Sequence, residues 1–126
     1  MSKLTIDKSA IQEIGMQFAV RYLERECINI LERSWRCNAG EADLIVKEDG
    51  DLVFIEVKTR SDFNAGFPEE TVTAKKRRRY ETIAAHYLSQ TDPPSMRVRF
   101  DVISILITGD GRAFLKHHRD VFAVGE

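Results

Sequence analysis

The chain has 126 residues, enough for one domain with a proper core and too few for two comfortable ones. With 43% hydrophobic and 31% charged residues it reads as globular, and two cysteines, Cys27 and Cys37, make no disulfide framework. A net charge of −1 argues against general stickiness to polyanions, and no apolar run approaches the roughly 20 residues of a membrane span or a signal core, so a cytoplasmic protein without membrane contact is expected. The first element is a helix: Ile11, Ile14, Gly15, Phe18, Ala19, Tyr22 and Leu23 recur at three- and four-residue spacing, and Ser9 with Gln12 reads as a capping box. Ile28 to Trp35 reads as a strand. Ala42–Val46 and Leu52–Val57 then flank Asp49-Gly50, a dipeptide suited to a two-residue type I′ hairpin turn.

Residues 60–70 read as a loop punctuated by Gly66 and Pro68. A second helix is expected from near Thr73, its hydroxyl as cap, to about Ser89, with Tyr80, Ile83, Ala84, Tyr87 and Leu88 as the apolar stripe and Pro93-Pro94 as the stop. Val98–Ile107 is the longest strand candidate, and Arg112–Lys116 returns after Gly109-Asp110-Gly111. The order αβββαββ predicts a single α/β domain over residues 1–126, with a mixed central sheet flanked by helices. The charge is unevenly spread. Of the 19 lysines and arginines, five form the unbroken run Lys75-Lys76-Arg77-Arg78-Arg79 on the second helix, so the rest of the chain is acidic. Such a run is most often a solvated face, and beside an anion-binding site it becomes a phosphate contact.

The hairpin can be folded on paper. With Asp49-Gly50 as its loop, Asp43 faces Glu56 and Glu41 faces Lys58, and strand alternation puts all four side chains on one face. The other face carries Ala42, Leu44, Val46, Val53, Ile55 and Val57 and is expected to be core. Facing carboxylates are destabilising unless one is protonated or a cation lies between them. Two carboxylates on rigid strands offer hard oxygen ligands that suit Mg²⁺ or Mn²⁺ better than zinc, and Lys58 could hold a water or stabilise developing negative charge. That is a kit for phosphodiester hydrolysis. The plainer reading makes Glu41 and Lys58 a cross-strand ion pair with Asp43 and Glu56 solvated, and a one-residue slip would separate the two acids.

Asp43 followed after a turn by Glu56-Val57-Lys58 resembles the PD-(D/E)xK signature of restriction-endonuclease-like nucleases. Gly40-Glu41-Ala42-Asp43-Leu44-Ile45, Val53–Arg60, Gly66-Phe67-Pro68, Val72-Thr73 with Lys76 and Arg79, and Arg99-Phe100-Asp101-Val102 are similar to the YraN family, from about Gly15 to Val102. The resemblance implies a restriction-endonuclease-like core and a nuclease using Mg²⁺ or Mn²⁺. Asp43, Glu56 and the Val57 carbonyl would be metal ligands, Asp43, Glu56 and Lys58 the catalytic set, and Glu41 a supporting residue. Lys76, Arg79, Arg60 and Arg36 would meet nucleic acid, DNA before RNA, and a homodimer is compatible with this. The chain departs from the family at Gly15-Met16, where the family usually has Gly-Glu, at Ser34, where Asn is common, and at Ala42, where Ile is usual. Loss of the Glu at Met16 favours a rival reading, a nucleic-acid-binding module with little or no turnover on the same scaffold.

The remaining residues point to structure. His117 and His118 face opposite ways on a strand and read as surface or structural residues, Cys27 and Cys37 as small packed hydrophobes, and Asp101 as an ion-pair partner of a nearby arginine. Trp35 and Phe63 could stack on bases, although burial is the commoner fate of an aromatic.

Overall fold

A computed structural model describes residues 8–61, 66–67, 72–90 and 96–122. The elements are α1 (Lys8–Arg25), β1 (Asn29–Cys37), β2 (Gly40–Glu48), β3 (Asp51–Arg60), α2 (Ala74–Gln90), β4 (Val98–Ile107) and β5 (Ala113–His118), the order αβββαββ. The five strands form one mixed sheet in the order β1-β2-β3-β4-β5. All neighbours are antiparallel except β3 and β4, which run parallel because α2 carries the chain across between them. Phe63, Pro68 and Pro93-Pro94 lie outside the described residues.

Both faces of the sheet are covered. On one, Ala19, Val20 and Leu23 of α1 pack on Leu44, Val46, Val53, Ile55, Val57, Ile103 and Ile105. On the other, Tyr80, Ile83, Ala84 and Tyr87 of α2 pack on Ala42, Ile45, Leu52 and Phe54. The hairpin face that carries Asp43 and Glu56 is thus a second core face, with its acids at one end. Trp35 is among the aromatics of this layer, edge-on to Tyr87 with centroids 5.2 Å apart.

Local chemistry sets the element ends. Asp49 and Gly50 take φ of +51° and +83°, as a type I′ turn requires, and this pins the β2–β3 register at Glu48–Asp51. Thr73 caps α2, its Oγ1 accepting the Lys76 N–H at 3.1 Å. The start of α1 differs from expectation. Ser9 lies inside the helix, and Gln12 sends its amide to the Val57 carbonyl at 2.8 Å. A tertiary bond to β3 therefore engages the residue that reads in sequence as a cap.

The helix ends in a Schellman motif. The N–H of Ile28 bonds the Leu23 carbonyl at 2.9 Å, and that of Cys27 bonds the Glu24 carbonyl at 3.1 Å. Cys27 takes the left-handed position, φ +60°, and is exposed, which corrects its expected role as a packed hydrophobe. Cys37 packs against the α2 layer as expected.

α1 lies very close to the sheet at Gly15. A Cβ there would sit 1.8 Å from Thr59 Oγ1, so the close approach of α1 to β3 depends on the missing side chain. β3 runs on through Arg60, which reads in sequence as the start of a loop, and β5 extends to His118.

Candidate active site

Asp43 and Glu56 come together where the β2–β3 ladder stops. Backbone pairing runs from Glu48–Asp51 to Leu44–Ile55 and ends one pair short of the two acids. Beyond it the Asp43 carboxylate takes over the role of a backbone acceptor, receiving the Val57 N–H on Oδ2 at 2.8 Å. Asp43 and Glu56 are therefore neighbours but not a backbone-paired couple, which corrects the simple extrapolation of the hairpin. The cause lies on β1. Ser34, at the position opposite Asp43, has φ +49°, and the β1–β2 register runs past it from Arg33–Leu44 to Trp35–Ala42. The alternation of β2 breaks here, so Ala42 turns to the α2 layer instead of joining Leu44 and Val46. Asn tolerates a left-handed conformation better than most residues, which rationalises the Asn common at the Ser34 position in the family that the sequence resembles.

The electrostatics of this spot are unbalanced. Burial pushes the Asp43 carboxyl up to about 6, and the charges of Glu56 and Glu41 push the same way against the Val57 hydrogen bond and Lys76. Glu56 pairs with Lys76 of α2, whose Nζ meets Oε1 while the side chains stay only 26% and 15% exposed. The other oxygen, Oε2, is buried and has no hydrogen-bond partner among the described residues. Such an atom is costly to bury unless something else compensates it.

The other expected site residues are spread around this pair. Glu41 pairs with Arg36 at 3.5 Å across the β1–β2 ladder, with Arg36 largely in solvent. Lys58 lies two residues beyond Glu56 on β3, on the same strand face and half-buried. Arg60 is the last residue of β3. Arg79 is exposed on α2, and its side chain runs beside Gly40, 3.4 Å from where a Cβ would be. Within the basic run, Arg77 instead pairs with Glu81 at 3.7 Å and lies over the Phe122 ring. Met16 packs with the α1-side core.

Two nearby residues escaped the sequence reading. Tyr80 is buried beside the acids; burial raises its hydroxyl pKa, and the charges of Glu56, Asp43 and Glu41 raise it further. Its four-residue spacing from Lys76 was the available signal, masked by its place in an apolar stripe. Gln12 holds the Val57 carbonyl, a contact that no local pattern announces.

The donor set suits a small, hard cation: two carboxylates, one with a stranded oxygen, and a backbone carbonyl with a second lone pair beside the one Gln12 uses. Among the described residues no group of three or more His, Cys, Asp and Glu side chains could hold a metal ion.

The family model of the uncharacterised protein family UPF0102 matches residues 15–105. A UPF0102 protein of Beutenbergia cavernae is 43% identical over 114 residues, 90% of this chain and 97% of the relative. One of Nocardia farcinica is 40% identical over 116 residues, covering 92% of this chain and 91% of the relative. A third, of Chloroflexus aurantiacus, is 42% identical over 120 residues, covering 94% and 96%.

Proposed function

The chain belongs to the YraN-like family UPF0102, and we propose that it is a metal-dependent nuclease hydrolysing nucleic-acid phosphodiester bonds. The observation that carries this reading is the buried Glu56 Oε2, without a hydrogen-bond partner among the described residues, beside an Asp43 whose carboxyl is raised to about 6. A fold does not choose so unfavourable a pair for stability, and perturbed acids cluster at functional sites.

Asp43, Glu56 and the Val57 carbonyl would hold Mg²⁺ or Mn²⁺. When bound, the ion supplies Lewis-acid neutralisation of a phosphoryl oxygen and a water of lowered pKa. The chain's own groups do the rest. Lys58, one strand repeat from Glu56, orients the attacking water and stabilises charge on the phosphate. Gln12 fixes the direction of the Val57 carbonyl through its 2.8 Å bond. The Val57 N–H holds one oxygen of Asp43, leaving the other for the ion. Arg79, Arg36 and Arg60 bind backbone phosphates, with Lys76 joining them once released from Glu56. The substrate is DNA before RNA.

A second reading, a binding module that does not turn over, is favoured by Met16, which puts a thioether in the α1-side core where the resembled family usually has a carboxylate. The deciding experiment gives the purified protein Mg²⁺ or Mn²⁺ and single-stranded, duplex and branched DNA and RNA. Cleavage that falls by about 10²-fold or more in Glu56→Ala and Lys58→Ala supports the nuclease. Salt-sensitive binding without cleavage supports the module.

A further inference from the structure

We propose that Lys76 is a resident counter-cation of this site: its ammonium and a divalent ion exclude one another at Glu56, and nucleic-acid phosphate promotes metal loading by drawing Lys76 away. The inference rests on the metal reading above and adds a regulatory step to it.

The geometry is specific to Lys76. Its Nζ pairs with Glu56 Oε1, so one oxygen of the carboxylate is taken, while Oε2 remains buried without a hydrogen-bond partner among the described residues. Glu41 has its own cation in Arg36. Lys76 therefore supplies a positive charge at the Asp43–Glu56 pair, and lowers the energy of Asp43 in ionised form as well.

Its position on the helix makes the pairing exchangeable. The Lys76 N–H is bound by Thr73, so its backbone is anchored in the first turn of α2. That turn holds no acid, and a lysine there lies at the end of a helix dipole that disfavours cations. Glu56 is what draws the side chain inward. A four-carbon stem with a compact charge can swing out, and a phosphate arriving beside Arg79 offers a competing anion.

Because binding couplings are reciprocal, metal bound at Glu56 frees Lys76 for phosphate just as phosphate frees Glu56 for metal. The two ligands then load cooperatively. The protein alone would be a poor metal binder, and the complete site would assemble on the substrate.

The test is calorimetric titration of Mn²⁺ into wild type, Lys76→Met, Lys76→Gln and Glu56→Gln at pH 7.5 without nucleic acid. The titration is then repeated with a short phosphorothioate DNA duplex that resists cleavage. In the free protein both Lys76 variants should bind Mn²⁺ about 5- to 30-fold more tightly than wild type, within the usual range of a coupling. The duplex should tighten Mn²⁺ binding to wild type by a similar factor and change the Lys76 variants little. Thermal melting checks that each variant is folded, and Mn²⁺ should raise the melting temperature of the Lys76 variants more than that of wild type. Binding abolished by Glu56→Gln but unaltered or weakened in both Lys76 variants overturns this proposal and leaves the metal reading standing. No Mn²⁺ binding by any form, with or without the duplex, overturns both.

Discussion

Among the described residues, acids are buried at two ends of the sheet, and they are treated in opposite ways. At the hairpin end of the sheet, on the α1 face, Asp101 is 2% exposed. It accepts Arg99 Nε and Nη2 at 3.0 Å each, His117 Nε2 at 2.8 Å and the Asp120 N–H at 2.9 Å. Arg99 also reaches Asp51 at 3.0 Å and Glu48, Arg119 forks onto Glu48, and Tyr22 closes the far side of His117 at 2.8 Å. Burial alone would raise Asp101, but these bonds outweigh it and hold the carboxyl below its ordinary value. The Arg119 fork, with help from Arg99, brings Glu48 down to about 2. At the other end, on the α2 face, Asp43 is pushed up to about 6 and one Glu56 oxygen has no hydrogen-bond partner among the described residues. Density of acids is the same kind of feature in both places. What separates a structural cluster from a candidate site is whether the chain supplies all the compensating donors itself.

That contrast can be broken by mutation. The largest effect is expected from Arg99→Met, which leaves Asp101 buried without its guanidinium. Urea unfolding should show a loss of about 3–5 kcal/mol, and a loss below about 1 kcal/mol would mean that the network does not compensate Asp101. Asp43→Asn should act in the opposite direction. The folded-state value lies above the ordinary 3.8, so the folded chain retains a proton that the unfolded chain has lost. Stability therefore falls as pH rises from about 4 to about 6, and the penalty is complete above that. The asparagine variant should be about 1–2 kcal/mol more stable than wild type at pH 8 and gain nothing near pH 4, while losing the proposed activity.

Glu48→Gln sharpens the same comparison from the acid side. Its folded-state value is depressed, so its contribution is complete above about 4.5 and disappears as pH falls toward 2. The glutamine variant should be the less stable one at neutral pH, with the difference vanishing in acid, a slope opposite to that of Asp43→Asn. The smallest effect is a control on the backbone. Cys27→Gly relieves a left-handed cysteine and should stabilise the chain by about 0.5–1 kcal/mol, read by urea unfolding.

The hairpin was legible because Asp49-Gly50 has one comfortable geometry, and that geometry carries the register to Leu44 and Ile55. The α2 cap and the bounds of β4 were legible for the same local reason. The extrapolation past Leu44 failed because a left-handed Ser34 on the neighbouring strand disturbs β2, and nothing in β2 itself signals that. Cys27 hid the end of α1, since the residue in the left-handed position is neither Gly nor Asn. The pair Asp43 and Glu56 was visible from spacing, whereas the Lys76 contact and the Gln12 bond come from helices packed on opposite faces of the sheet. The Arg99 network joins the hairpin, β4 and β5 and has no spacing to find. His117 reads in sequence as surface or structural, and it is structural, with a side chain only 4% exposed.

The order in which these parts leave the ribosome adds a consequence. Both acids belong to a hairpin that is complete by Arg60, and the helix that covers them follows in the chain. Until α2 docks, water can solvate both carboxylates, so β2 and β3 can associate without the electrostatic burden. The burden arrives with α2, together with the ammonium that relieves it. A variant lacking that ammonium should therefore form its sheet at a normal rate and lose the docked helix sooner, surfacing as faster unfolding rather than slower folding.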